Sequence, residues 1–197
     1  MPPEQVPEEE LMERVKAGDE QAFSLLLTRY ERPLLTFLSR FIGDYHLARD
    51  LYQEVFLRVY LKAKEYAPVR KFSAWLYRIA INLCIDELRK RKSASAFDWD
   101  SLLRGHLQDP PEAMREASDP FWQVERRELQ AKIQEAVSGL PSDHRLIFLL
   151  KYYQGFTYEE IGELLQCPVG TVKSRVHTAL VRLKSALSGY RVPEHGG

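Results

Sequence analysis

The chain has 197 residues, with 28 basic and 28 acidic side chains and no formal net charge, which leaves room for one or two ordinary globular domains. No apolar run approaches the roughly 20 residues that span a bilayer. The acidic start Met1-Pro2-Pro3-Glu4 lacks a signal peptide's basic and apolar blocks, so no membrane insertion and a cytoplasmic location are expected. Cys84 and Cys167 are the only cysteines and the five histidines are scattered, which argues against a disulfide framework, a metal site or a bound cofactor.

Almost every segment carries helical periodicity and none alternates like a strand for long, so the predicted fold class is all-α. A short acidic helix is expected over about Glu8 to Lys16. Asp19 caps a second helix with Phe23, Leu26, Leu27, Tyr30, Leu34, Leu38 and Phe41 inward. Pro33 lies inside it and predicts a kink or a break, and Gly43-Asp44 ends it. A third helix is expected from about His46 to Tyr66, burying Leu47, Leu51, Val55 and Val59. After the loop Ala67 to Lys71, Ser73 is the expected cap of a fourth helix. Its inward residues include Trp75, Leu76, Ile79, Leu83 and Leu88, whereas Tyr77 is expected at the surface.

Ser93 to about Pro120 changes character. Asp98, Asp100, Asp109-Pro110-Pro111-Glu112 and Asp119-Pro120 make it an acidic, proline-bearing linker with little periodicity. Trp99, Leu102 and Leu103 are its apolar exceptions and the residues with which it would dock. The division is therefore 1–92, a flexible acidic linker over 93–120, and a second helical domain over 121–197. In that domain helices are expected at Glu125 to Ser138 and Asp143 to Tyr153, with Gly155 as a C-cap.

The residues from Thr157 to Val176 then read as a helix-turn-helix. Thr157 and Glu160 form a capping box, and Ile161, Leu164 and Leu165 give the first helix one apolar face. Pro168 suits the first position of a new helix, which buries Val172, Val176, Leu180 and Leu183. That stripe leaves Thr171, Lys173, Ser174, Arg175, His177, Thr178 and Arg182 for water or DNA, the basic and hydroxyl front that a major-groove reader needs.

The neutral total hides a segregation of charge. From Arg70 to Lys92 the basic residues Arg70, Lys71, Arg78, Arg89, Lys90, Arg91 and Lys92 are opposed only by Asp86 and Glu87. From Pro168 to Val192 there are five basic residues and no acid. Two basic stretches point to two nucleic-acid contacts, with dipole complementation at a helix C-terminus as the plainer reading of Arg89 to Lys92.

Three stretches together resemble the extracytoplasmic-function (group IV) sigma factors of bacterial RNA polymerase. Asp50-Leu51-Tyr52-Gln53-Glu54-Val55-Phe56-Leu57-Arg58 is similar to that family's core-binding helix. Phe72 to Asn82, with Asp86-Glu87-Leu88-Arg89, is similar to its promoter-melting helix. Leu140-Pro141, Tyr158 to Ile161 and Gly170 to Arg175 are similar to its −35-reading domain. The resemblance implies no catalysis, with core RNA polymerase and promoter DNA as partners and an anti-sigma factor as regulator.

The same resemblance implies where each contact falls. Asp50, Gln53 and Glu54, at i, i+3 and i+4, share one helix face and would meet the clamp coiled coil of the polymerase. Unaided by the resemblance, they read as a solvated acidic face with Glu54 paired to Arg58. Arg49 departs from relatives that carry an acid there. Arg70, Lys71, Tyr77, Arg78, Asn82 and Arg89 would hold the opened −10 element, cations on phosphates and Asn82 on a base edge. Lys173, Ser174, His177 and Thr178 would face −35 bases, with Thr171 and Arg175 on phosphate or bases. Thr178 stands where relatives often have an arginine, a lost bidentate guanine reader.

A two-domain helix-turn-helix regulator that never binds core polymerase is the main alternative. The helical first half carrying Asp50 to Glu54 argues against it. No glycine-rich phosphate loop, His-Glu-x-x-His or nucleophile elbow supports an enzyme. The acid-free front of the recognition helix argues against an adaptor that never touches DNA. If the halves dock, the two DNA-reading surfaces are expected to mask one another.

Overall fold

The structure is a computed structural model and describes residues 6–69, 71–94 and 120–188. Among the described residues every regular element is helical. In chain order they are α1 (Glu8–Lys16), α2 (Glu20–Ile42), α3 (Tyr45–Leu61), a 3-10 turn at Ala63–Glu65, α4 (Phe72–Ala94), α5 (Pro120–Ser138), α6 (Ser142–Tyr152), α7 (Tyr158–Leu165) and α8 (Val169–Leu187). The expected linker, apart from its two ends, lies outside the described residues, as do Trp99, Leu102, Leu103 and Arg70.

α2 is the spine of the first half and packs on α1, α3 and α4. Asp19 starts it as the sequence predicts, its carboxylate accepting from the Gln21 and Ala22 N–H groups at 2.9 and 3.1 Å. The Arg14 guanidinium holds the other oxygen at 2.8 Å. The backbone bond from Ala22, then the side-chain bond from Arg14, draw the Asp19 carboxyl below its ordinary range.

The break expected at Pro33 does not occur, since α2 runs from Glu20 to Ile42. Proline forfeits one i→i−4 bond. Tyr30, Leu34, Phe37 and Leu38, buried on both sides of it, hold the helix on course. Each such side chain contributes about 1.5–3 kcal/mol by leaving water. Gly43 closes α2 in the left-handed region at φ 79°, its N–H reaching the Ser39 carbonyl.

α3 ends at Leu61, five residues before the expected Tyr66. The chain tightens into the 3-10 turn, which buries Ala63 and Tyr66. The Tyr66 ring then packs on Phe72 and Trp75. Ser73 is not the cap of α4, which already begins at Phe72. The Lys71 carbonyl accepts from the Ala74 and Trp75 N–H groups instead.

In the second half α6 is unusual in burying six consecutive residues, Arg145 to Leu150. A helix apolar on all sides must be surrounded, and α6 packs on α7 and α8 of its own half and on α2 of the other. It ends at Tyr152, one residue before the expected Tyr153, and its C-cap is Tyr153 rather than Gly155. Gly155, left-handed at φ 73°, lies beyond the end and lets the Phe156 N–H reach back to the Leu150 carbonyl at 3.1 Å.

Candidate nucleic-acid and polymerase interfaces

The helix-turn-helix forms as its sequence predicts. Thr157 and Glu160 make the reciprocal capping box, with bonds of 2.8 and 3.1 Å. Gln166 closes α7 in the left-handed conformation at φ 53°. Pro168 stands one position earlier than expected, as the N-cap of α8, its carbonyl accepting from Thr171 and Val172.

Sequence reasoning overlooked Gly162. A Cβ there would meet the Cys167 carbonyl oxygen at 3.0 Å and a Val169 methyl at 3.4 Å. The turn closes against bare backbone, and a glycine between Ile161 and Glu163 on an otherwise strong helix was the available signal.

α8 buries Val172, Val176, Ala179 and Leu183. Leu180, expected in that stripe, is 40 % exposed. The 4-3-4 spacing from Val172 puts Ala179 on the inward face instead, where it is fully buried. Opposite the stripe Lys173, Ser174 and His177 are exposed. Thr178 is half-buried and donates its hydroxyl to the Ser174 carbonyl at 3.1 Å, and Thr171 is half-buried at the start of the same face.

Two supporting residues were not foreseen. Asp143 on α6 reaches the Arg175 guanidinium at 3.5 Å and thereby orients it. Burial pushes the Asp143 carboxyl up, but bonds from His144 and the charge of Arg175 bring it below its ordinary value. The Tyr158 ring lies under both Lys151, at 4.6 Å, and Lys173, at 5.8 Å, so its π face helps place the Lys173 cation on the exposed front of α8.

In the first half the proposed −10 residues divide. Asn82 is exposed near the middle of α4, and Arg89 is exposed and lies 4.0 Å from Asp86. Lys71, Trp75 and Arg78 line one wall of a cleft together with Tyr66. Tyr77 contradicts its expected exposure: it is 2 % exposed, with its ring edge-on to Phe37 and Phe156. Burial holds its phenol well above the ordinary value. Its neighbour Phe156 comes from the other half, so helical periodicity within α4 contained no sign of this burial.

On α3, Asp50 and Gln53 are exposed and Glu54 is half-buried. Glu54 pairs with Arg58 at 2.8 Å, the pairing the sequence suggested for a solvated face. The adjacent end of the helix presents Leu57, Tyr60 and Leu61, all at least half exposed, so acid and apolar surface lie side by side.

The halves meet along a seam. The Tyr77 hydroxyl donates to the Gln154 side-chain carbonyl. The Arg40 guanidinium lies 4.0 Å over the Tyr153 ring. Lys71 pairs with Glu160 at 2.8 Å. Deepest is Arg145, 1 % exposed, which donates to the Ser138 and Leu140 carbonyls of its own half and at 3.1 Å to the Phe41 carbonyl near the end of α2. Burial draws its guanidinium down to about 10. The expected mutual masking is thus one-sided: Lys71 is engaged, while Lys173, Ser174 and His177 stay exposed.

Residues 26–94 match the Sigma-70 region 2 family and residues 130–183 the Sigma-70 region 4 family. The chain is 36 % identical over 176 residues to the ECF RNA polymerase sigma factor SigW of Bacillus subtilis, covering 89 % of this chain and 94 % of that protein. It is 34 % identical over 180 residues to the ECF RNA polymerase sigma-E factor of Escherichia coli, covering 89 % and 92 %. Among solved structures, the sigma factor RpoE in complex with the anti-sigma factor NepR from Bartonella quintana superposes with a TM-score of 0.65. It shares 24 % identity, over 86 % of this chain and 98 % of that one. CnrH in complex with the cytosolic domain of CnrY gives 0.65 at 21 % identity, over 92 % and 97 %.

Proposed function

Because the chain belongs to the extracytoplasmic-function sigma factors of bacterial RNA polymerase, we propose a division of its promoter work between residues 1–92 and 121–197. The second unit reads the −35 element as duplex. The observation that carries this is the face of α8, where Lys173, Ser174 and His177 stand exposed opposite buried Val172, Val176 and Ala179. Thr171, Thr178 and the Asp143-oriented Arg175 flank that face, placed for phosphate and base edges.

The first unit takes the opened −10 element. Arg70, Lys71, Arg78 and Arg89 neutralise phosphate and Asn82 meets a base edge, an assignment supported by the exposure of Asn82 and Arg89. Tyr77 joins that surface only when the halves part. Asp50, Gln53 and Glu54 dock on core polymerase, supported by their shared face beside apolar Leu57 and Tyr60.

The chain contributes binding and no catalysis, and it works where polymerase and DNA are, in the cytoplasm. Among the described residues no helix is long and apolar enough to cross a membrane. An anti-sigma factor is the expected regulator, in line with the anti-sigma partner NepR of the solved RpoE structure of the same fold.

In vitro transcription with core polymerase on genomic fragments tests the reading. Start sites preceded by two shared elements support it. Asp50→Lys/Glu54→Lys is expected to abolish core binding with helicity intact, and unchanged core affinity overturns the docking assignment.

A further inference from the structure

The seam has a chemistry of its own. On one wall of the cleft stand Lys71, Arg78, Tyr66 and Trp75, cations and aromatic faces, which is the composition that holds single-stranded DNA. On the facing wall stand Glu160, Glu163 and Leu164 of α7, carboxylates and one apolar side chain. Glu160 already bonds Lys71 at 2.8 Å, where a phosphate oxygen would sit.

We propose that α7 is an internal stand-in for the −10 strand: its Glu160 occupies Lys71 and its Glu163 and Leu164 face the aromatic wall across the cleft, so the free chain is closed to −10 DNA while still open to −35 duplex. The inference rests on the proposed −10 role of Lys71. Geometry requires the seam to part during function. Elements named −10 and −35 lie about 25 base pairs apart, which at roughly 3.4 Å per pair is about 85 Å. Here α7 touches Lys71 and packs directly on α8. Packed helix axes lie about 8–10 Å apart, so the two reading surfaces are far too close to serve one promoter together. The seam suits a reversible contact, with the Lys71 side chain 72 % exposed and Tyr153 at the rim.

The test compares the full chain with Gln154→Ala/Glu163→Gln, which loosens the seam at residues outside the proposed DNA and polymerase contacts. Small-angle scattering reads closure. Anisotropy reads binding of a labelled single strand carrying the −10 element of a promoter mapped by the transcription assay, and of the matching −35 duplex. The variant is expected to show a larger radius of gyration, about tenfold tighter single-strand binding as the competent fraction rises, and unchanged duplex affinity. Arg40→Cys/Tyr153→Cys in a Cys167→Ser background, bridged by a short bismaleimide, is expected to lose single-strand binding and keep duplex binding.

An already extended wild-type chain, or an opened variant with no gain in single-strand affinity, overturns the proposal. Within the opened variant, adding Lys71→Ala separates the two readings. If single-strand affinity does not fall, the −10 assignment of Lys71 is wrong even though the chain closes.

Discussion

Arg145 is the residue whose replacement should be felt most. Its guanidinium is enclosed, bonds the carbonyls of Ser138, Leu140 and Phe41, and leaves its Nε without a partner. Bonds to a charged group contribute about 1.5–3 kcal/mol each, so three amount to roughly 4.5–9 kcal/mol gross. Burial of the charge, and the orphaned Nε at about 1–3 kcal/mol, oppose that. Removing the guanidinium takes that donor from three buried carbonyls, and each one left unsatisfied costs about 1–3 kcal/mol, a large share of a domain's total stability of about 5–15 kcal/mol.

Arg145→Lys is the sharper substitution, because it keeps the charge and much of the stem. One ammonium cannot replace the guanidinium fork that reaches two helix ends at once. We expect at least about 2 kcal/mol lost, read as a lower urea midpoint in equilibrium unfolding followed by circular dichroism. An Arg145→Lys chain within about 0.5 kcal/mol of wild type, the ordinary scatter of surface substitutions, would show that the fork contributes shape and not bonding.

Three further outcomes follow from the geometry. Gly162→Ala, favourable by helix propensity alone, is expected to lower stability by about 1–3 kcal/mol through the clash with the Cys167 carbonyl, and to weaken −35 duplex binding while leaving core binding intact; a rise in melting temperature refutes the close-packing account. Asn82→Ala should impair transcription from a duplex promoter much more than from one with a pre-melted −10 bubble, and an altered −35 preference in that variant counts against the assignment. The seam should be insensitive to pH over about 6–9. The bond to Glu160 raises the Lys71 ammonium, so its contribution is full below the unfolded value near 10.4 and fades as pH rises through the folded one. Lys71 and the Thr157 N–H lower Glu160, so its contribution is full above about 4.3 and fades as pH falls through its folded value. Scattering across that range should be flat, and a transition near pH 6–7 would assign closure to a histidine instead.

What the sequence made legible was local. The Asp19 cap, the Thr157–Glu160 box and the stripe of Val172, Val176 and Leu183 each depend on residues within one or two turns, and all stand as read. The misses lie where a distant segment decides. Tyr77 is buried by Phe156, seventy-nine positions away. Pro33 is tolerated because tertiary contacts on both sides outweigh one lost bond. Ala179 stands inward in place of Leu180 because position on the helix, not hydrophobicity, selects the inward residue. Arg145 looks like an ordinary surface arginine until three backbone carbonyls converge on it. The exposed front of α8, proposed to read DNA, is the part most legible in sequence, since the exposure of Lys173, Ser174 and His177 follows from one helix's own periodicity.

The position of Trp75 gives the molecule a native optical gauge. Its indole is half-buried against Tyr66 and Phe72 on the wall that faces α7. When that wall is wetted, the emission of the indole should move to longer wavelength. When a DNA base stacks on the ring, it should be quenched. With Trp99 and Trp122 changed to phenylalanine, a single tryptophan would then report three conditions of one surface, covered by protein, bare or covered by nucleic acid, on an unlabelled chain and on the timescale of polymerase binding.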